Sequence, residues 1–275
     1  MEKTEELYDK FLDEYVSEQA VRKYTWETAG YGVSYLLRHD YASIYLEAVN
    51  SLLRSSNGRP LRLLEFGCGA GMNITQLVKL LDEKQIPVEV AYGTDFSPRL
   101  VEVAREEVKA ALPPHLAKKI SFYVAHNELL ESDLLRELGG KKDRLGKFDL
   151  IIGVNTFRYC HRLGKQVECA QDIRRLLSPG GVCVNIDMNN RFPAFRSNLR
   201  RKDKDTEECY LPTLAEYAAP FEAAGFEMIK KQNFCWIPHS AGRGLTFACR
   251  AAGPFLNLVA RSRAMRSLIV ARNPA

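Results

Sequence analysis

Apolar positions follow two alternating patterns after residue 60. Short, nearly continuous apolar runs are separated by longer segments whose apolar residues recur at helical spacing. The runs predict strands over 61–66, 88–94, 120–124, 148–154, 182–187, 226–236 and 267–272. The spaced segments predict helices over 72–82, 97–111, 166–177 and 215–224. Such alternation predicts an α/β fold with a doubly wound, mainly parallel seven-stranded sheet.

The beginning of the chain has a different pattern. Seven of the twelve tyrosines precede residue 60, and apolar residues recur at helical spacing at Leu7, Phe11, Leu12 and Tyr15 and again over 41–52. A Ser-Ser-Asn-Gly-Arg-Pro stretch at 55–60 then predicts a loop. We therefore expect a helical N-terminal lid over 1–58. The main domain is predicted over 59–275, with a helical insertion at about 240–265.

Composition narrows the class of protein. Hydrophobic residues make up 46% and charged residues 27%, as in a globular protein, and the net charge of +5 is mild. No apolar run is long enough for a membrane span, and the polar N-terminus does not look like a secretory signal. The seven cysteines include no Cys-x-x-Cys pair, so we expect a cytoplasmic protein with no metal site. Because no membrane span is predicted, we also expect no membrane partner.

One glycine-rich stretch is the candidate ligand-binding loop. The first predicted strand ends at Glu65-Phe66, and Gly67-Cys68-Gly69-Ala70-Gly71 follows it directly before a helix. Glycines let a ligand lie on the main chain, and the helix start offers free N–H groups. A dinucleotide fingerprint needs its third glycine one residue later than Gly71, and no nucleoside triphosphate loop occurs. The acid Glu65 favours a ligand that carries an ammonium or sulfonium group.

A second acid ends the next predicted strand. Asp95 follows Gly71 by 24 residues and is followed by Phe96. A carboxylate in this position accepts hydrogen bonds from both hydroxyls of a ribose. Phe96 then stands where it would contact an adenine ring.

These features together resemble the class I S-adenosylmethionine-dependent methyltransferases over roughly residues 61–190. Two further features support the resemblance: the apolar strand Phe148-Asp149-Leu150-Ile151-Ile152 and the turn 176–181 before the fifth strand. The resemblance implies S-adenosylmethionine as cofactor. It also implies a contact set made of Glu65, Gly67, Cys68, Gly69, Gly71, Asp95, Phe96, His126, Asn127 and Asn155. The family often has an acid where this chain has His126 and Asn127.

Candidate catalytic and substrate residues follow the fourth and fifth strands. His161 is a candidate general base, with Asn155 and Tyr159 as further catalytic candidates. Arg158 and Arg191 are candidates for binding the substrate. In the lid, aromatic rings attract a sulfonium, so we assign Tyr24 and Tyr31 to the cofactor and Tyr35 to the substrate.

We therefore expect a methyltransferase that acts on a small molecule, such as a specialised metabolite, and that forms S-adenosylhomocysteine. One alternative is an enzyme that cyclises the cofactor's aminobutyrate chain to an azetidine- or cyclopropane-type amino acid and releases methylthioadenosine. Another is a binding protein without turnover. A nucleic-acid substrate is disfavoured because no aromatic platform accompanies the basic stretches. A homodimer is compatible with the sequence.

Overall fold

The computed structural model describes residues 40–54, 58–193, 211–238 and 241–274. Seven strands form one sheet. They are β1 (Leu61–Phe66), β2 (Val88–Asp95), β3 (Ile120–Val124), β4 (Phe148–Val154), β5 (Leu177–Met188), β6 (Glu227–Phe234) and β7 (Arg266–Arg272).

The α-helices of the described residues flank this sheet and are numbered in chain order. They are α1 (Tyr41–Leu53), α2 (Met72–Glu83), α3 (Pro98–Ala111), α4 (Pro114–Ala117), α5 (Leu130–Glu137), α6 (Lys142–Leu145), α7 (Phe157–Arg162), α8 (Gln166–Leu176), α9 (Leu214–Ala223) and α10 (Arg243–Ala260).

The strand order is β3-β2-β1-β4-β5-β7-β6. The first five strands in this order are parallel, and β7 runs antiparallel to both of its neighbours. The order reverses direction between β1 and β4. In open α/β sheets this switch point is where the carboxyl ends of the strands leave a crevice for a ligand.

Each face of the sheet has its own hydrophobic cluster. Successive residues of β1, Leu63 and Leu64, belong to different clusters because side chains alternate along a strand. One cluster joins the sheet to α1, α2 and α3, and the other joins it to α5, α8 and α9. Every residue of β4 is buried, as expected of a central strand that is covered on both faces.

Helix α1 belongs to this core. Tyr41 and Tyr45 are fully buried, and the Tyr41 ring lies 6.0 Å from the ring of Phe234 at the end of β6. The last part of the expected N-terminal lid therefore packs directly against the sheet. Residues 1–39 lie outside the described residues, so the lid itself stays a prediction.

The sequence pattern located all seven strands, and the insertion between β6 and β7 is helical as expected, in α10. The structure differs from the expectation at the start of β5 and at four short helices. Strand β5 begins at Leu177. The backbone of residues 178–181, expected to form a turn, is hydrogen-bonded to the N–H, C=O and side chain of Asn273 and therefore continues the sheet. Helices α4, α5, α6 and α7 were not expected, since all four are too short to show a clear periodicity.

Asp149 connects β4 to the loop before β1. Its buried carboxylate accepts hydrogen bonds from the Arg59 guanidinium and from the backbone N–H of Arg62 at 2.9 Å.

We expect Asp149→Ala to lower the free energy of unfolding by about 2–3 kcal/mol, because it leaves donors without an acceptor. Glu89→Ala removes an exposed ion pair with Arg62 and should change the free energy of unfolding by less than about 1 kcal/mol. Urea denaturation of both variants measures this difference, and equal effects would contradict the assignment.

Candidate functional site

The candidate site lies at the carboxyl ends of β1, β2, β3, β4 and β5. The topology brings the segments after these five strands to one edge of the sheet. Most residues singled out from the sequence lie in these segments. Their geometry decides which of them can face a ligand.

Glu65 supports the loop that follows β1. Its carboxyl group is fully buried and accepts hydrogen bonds from the backbone N–H of Ile74 at 2.8 Å and from Asn73 Nδ2 at 3.1 Å. Gly71, the residue before α2, has no side chain to cap the helix, so Glu65 supplies the cap from the neighbouring strand. Burial raises the pKa of Glu65 to about 8.

Two glycines of the loop are required for different reasons. Gly67 has a φ of 60°, and a Cβ on it would lie 1.9 Å from Oγ1 of Thr156, so the loops after β1 and β4 touch here. Gly69 has a φ of 54°, and a Cβ on it would meet no atom within 4 Å. The space above Gly69 is thus open, as a cofactor lying on the main chain requires. The Cys68 thiol points into the core instead, and burial raises its pKa well above the ordinary value.

Asp95 holds the same loop from the other side. One carboxylate oxygen accepts the N–H of Gly69 at 2.8 Å, and the other accepts the N–H of Ser97 at 3.0 Å. Burial raises the pKa of Asp95 to about 6, so the group is mostly ionised at neutral pH. Each oxygen keeps a further lone pair, which a ribose hydroxyl can use.

Aromatic rings lie beside Asp95 at the ends of β2 and β3. The rings of Phe96 and His126 are 6.5 Å apart and inclined by 36°. His126 is held by Asp133 of α5, whose carboxylate accepts its backbone N–H at 3.0 Å and lies 2.9 Å from its Nδ1. Asn127 turns away from this pair and donates to Thr156 Oγ1 at 2.8 Å. His126 thus lies beside Phe96, and its contact with an adenine stays a prediction, whereas the Asn127 side chain connects two loops.

Asn155 ends β4 in a left-handed conformation with a φ of 58°. Its side-chain oxygen accepts a hydrogen bond from the guanidinium of Arg266, the first residue of β7. Arg266 is 0% exposed, so its guanidinium is buried inside the protein. It lies beside the end of β4, one of the two strands at the switch point. The carboxylate of Asp187 is near enough to stabilise the cation.

Helix α7 begins directly after Asn155 and Thr156. The buried carboxylate of Asp187, at the end of β5, accepts the backbone N–H groups of Arg158 at 3.0 Å and Met188 at 2.9 Å. The Arg158 guanidinium lies over the Tyr159 ring, 4.7 Å from its centroid, and donates to the Tyr159 hydroxyl at 2.8 Å. Arg158 and Tyr159 are thus placed together at the edge of the site.

His161 lies on the other side of α7. Its ring packs edge-on against Phe157 and against Tyr217 of α9, at centroid distances of 5.3 and 5.5 Å. Burial lowers the pKa of His161 to about 4, so the ring is neutral at neutral pH and is a weak base. This packing gives His161 a role in joining α7 to α9, and its assignment as a general base stays a prediction.

The remaining candidates are less constrained. Arg191 is exposed just after β5, and its backbone N–H donates to Asn189 Oδ1 at 3.0 Å. Tyr24, Tyr31 and Tyr35 lie outside the described residues. Their proposed contacts with cofactor and substrate stay predictions.

Sequence reasoning missed several residues that build the site. Arg266, Asp187, Asp133 and Thr156 come from β7, β5, α5 and the turn after β4. Asp187 was visible as a polar residue at the end of a strand. Arg266 carried no such signal because it stands more than a hundred residues from Asn155.

The comparisons with known proteins agree with this geometry. A family model described as a methyltransferase domain matches residues 58–241, about two thirds of the chain. The chain belongs to the class I S-adenosylmethionine-dependent methyltransferases. The expected fold class, enzyme class and cofactor are therefore confirmed.

Relatives of this methyltransferase occur in polyketide biosynthesis. It is 31% identical over 134 residues to the non-reducing polyketide synthase tazA of Aspergillus terreus, across 49% of this chain and 4% of the synthase. It is 29% identical over 155 residues to the polyketide methyltransferase ustM of Ustilaginoidea virens, across 55% of this chain and 32% of ustM. The chain thus matches less than a third of ustM's length and a small part of the synthase.

A solved structure shows the same fold over nearly the whole chain. Magnesium protoporphyrin IX methyltransferase from Synechocystis PCC 6803, solved with bound S-adenosylmethionine, superposes with a TM-score of 0.55 at 14% identity. The match covers 97% of this chain and 96% of that enzyme. At this identity the match is evidence of the fold alone.

The residues of this methyltransferase fit S-adenosylmethionine. The open space over Gly69 accommodates a ligand on the main chain, Asp95 can accept ribose hydroxyls, and Phe96 and His126 offer ring faces to an adenine. In the part of the chain that the structure describes, no group of three His, Cys, Asp or Glu residues forms a metal site, and no helix is long and apolar enough to cross a membrane.

The buried carboxyl of Glu65 predicts a pH dependence of stability. Its pKa of about 8 in the folded protein lies above the ordinary value of 4.5, so folding takes up a proton between these values. The stabilisation is present in full below about pH 4.5 and is lost as the pH rises through about 8. We expect Glu65→Gln to flatten the decrease in unfolding free energy between about pH 5 and 9.

Urea denaturation at several pH values tests this expectation. The contribution of Asp95 remains in both proteins and cancels in the difference. Parallel curves for the variant and the unaltered protein would contradict the assignment of Glu65.

Asp95 should carry much of the affinity for the cofactor. We expect Asp95→Ala to weaken S-adenosylmethionine binding by about 1–3 kcal/mol, roughly 5–150-fold, because hydrogen bonds to a charged group are lost. Isothermal titration calorimetry measures the change. Glu102→Ala, at an exposed position on α3, is the matched control. Unchanged affinity in Asp95→Ala would refute its role.

Proposed function

We propose that this methyltransferase acts on a small polyketide-type acceptor and transfers the methyl group to its enolate or phenolate form. The named relatives support the acceptor class, since they are a polyketide methyltransferase and polyketide synthases. The observation that carries the proposal is the guanidinium of Arg158, held by Tyr159 in the first turn after β4, the segment where the sequence predicts the acceptor.

The position of Arg158 is determined by the backbone around it. Asp187 accepts the N–H of Arg158, which fixes the first turn of α7 relative to β5. The Tyr159 ring and hydroxyl then hold the guanidinium. A cation in this place stabilises the oxygen of an enolate or phenolate through charge-assisted hydrogen bonds.

The rest of the chemistry requires alignment rather than strong acid–base catalysis. S-adenosylmethionine supplies a methyl group on a positively charged sulfur atom. The Gly69 cradle and Asp95 orient the cofactor, while Asn155 and the start of α7 orient the acceptor. A β-dicarbonyl or phenolic acceptor is itself acidic, so the low pKa of His161 does not prevent the reaction.

Product analysis tests the proposal. The protein is incubated with S-adenosylmethionine alone, with a β-ketoacyl thioester, and with a resorcinol-type phenol, and the nucleoside is identified by mass spectrometry. We expect S-adenosylhomocysteine and a methylated acceptor only in the presence of an acceptor. Methylthioadenosine without an acceptor would contradict methyl transfer and favour cyclisation of the cofactor. Intact cofactor binding with no turnover on either compound would contradict the acceptor class.

Arg158 provides a second test. We expect Arg158→Gln to lower kcat by roughly 10–100-fold, the scale of about 1.4–2.7 kcal/mol of lost transition-state stabilisation. The Kd for S-adenosylmethionine should change little, and Arg158→Lys should restore part of kcat because it keeps the charge. Lys165→Gln removes a half-buried cation just after α7 that is paired with Glu168, and serves as control. A change confined to the cofactor Kd would refute the role of Arg158.

A further inference from the structure

Helix α10 carries an apolar face that no described residue covers. Five of its exposed residues lie within about a third of the helix circumference and form its outer face: Phe247, Ala251, Phe255, Leu258 and Val259. Phe247 is 75% exposed and Leu258 is 84% exposed. Contiguous exposed apolar surface of this kind marks an interaction site.

The opposite face of α10 is already used. Cys249 packs against the hydrophobic cluster of the sheet, and Asn257 accepts a hydrogen bond from the Trp236 indole at 2.8 Å. The position and orientation of α10 are therefore fixed by its inner face. Its outer face is presented to the surroundings.

The described chain begins beside this helix. Asp40 lines a cavity of about 380 Å³ together with Cys249, Arg250 and Asn257 of α10, and Arg250 influences the Asp40 carboxylate electrostatically. The 39 residues before Asp40 therefore leave the described structure next to α10. Since α10 is about 27 Å long, a segment of this length can reach every part of its outer face.

The charges of the two segments are opposite. Residues 1–18 contain seven acidic residues and two lysines, whereas residues 243–263 contain four arginines and no acidic residue. Arg243, Arg261 and Arg263 are exposed at the two ends of α10. Within the acidic segment, Leu7, Phe11 and Tyr15 recur every four residues and predict an apolar stripe.

We propose that the N-terminal segment of this chain docks its stripe of Leu7, Phe11 and Tyr15 onto the outer face of α10. The acidic residues beside the stripe then meet the arginines at the two ends of the helix. The proposal is independent of the acceptor's identity.

Two other occupants fit the charges less well. A second copy that presented its own α10 would bring arginines against arginines. An anionic membrane surface would attract the arginines but repel the acidic segment of the same chain. Opposite charge and proximity within one chain favour the N-terminal segment.

Photo-crosslinking in the full chain tests the docking. p-Benzoylphenylalanine replaces Phe247 in one variant, Leu258 in a second, and Ile229, an exposed residue of β6, in a control. We expect peptides from residues 1–23 to be crosslinked severalfold more at 247 and 258 than at 229. An equimolar mixture of ¹⁴N- and ¹⁵N-labelled chains distinguishes crosslinks within one chain from those between chains.

Each other outcome overturns the proposal. Mixed-isotope crosslinks would assign the face to a second copy. Crosslinks from 247 and 258 only to other parts of the chain would also refute it. A membrane partner would also refute it. That outcome would be seen if the full chain sedimented with phosphatidylcholine–phosphatidylserine vesicles, if Phe247→Glu abolished this sedimentation, and if no crosslink to residues 1–23 formed.

Charge reversal supplies a matched pair of variants. Arg243→Glu, Arg261→Glu and Arg263→Glu together should reduce the crosslink yield at 247 severalfold. Arg99→Glu, Lys109→Glu and Lys118→Glu make the same change in net charge near the opposite edge of the sheet, at exposed positions, and should leave the yield unchanged. S-adenosylmethionine binding, measured on both triple variants, reports that the main domain has folded. An equal effect of both sets would refute the charge argument.

Discussion

The loop after β1 is held in place by two buried carboxyl groups, and the rest of the site depends on this. Glu65 accepts the N–H of Ile74 from behind the loop, and Asp95 accepts the N–H of Gly69 from the side. The glycines themselves contribute no side chains that could order the backbone. Without these acceptors the turn would be free to adopt other conformations, and the open space over Gly69 would not be preserved. A site that binds a ligand on its main chain thus needs support from outside the loop.

The fold was largely predictable because two periodicities dominate the chain. Burial on both sides makes β4 an apolar run apart from Asp149, and the helices that cover it keep helical spacing on one face only. The start of β5 was not predictable, since its turn is joined to the sheet by Asn273, a residue from the far end of the chain. Short helices such as α7 depend on contacts with Asp187 and Tyr217 rather than on their own pattern.

The cofactor side of the site was more predictable than the acceptor side for a related reason. Glu65, Gly69 and Asp95 lie within 31 consecutive residues and act through the main chain, so their spacing is visible in the sequence. The proposed acceptor side is assembled from side chains of separate elements, such as Arg266 on Asn155. His161 shows the limit most clearly: it stands in the expected segment, but the helical turn of α7 directs it towards Tyr217.

The two sides of the site carry opposite charges. Asp95, which is mostly ionised at neutral pH, lies on the side that receives a cationic cofactor. On the other side, Arg158 and Arg266 lie near the buried carboxylate of Asp187. The anionic acceptor proposed above suits these two cations better than a cationic one would. When a cation and an anion react, their charges cancel, so the transition state carries less charge than the reactants. If the proposed anionic acceptor binds beside the buried Arg266 and Asp187, these surroundings favour the transition state over the separated charges, and alignment can suffice for catalysis.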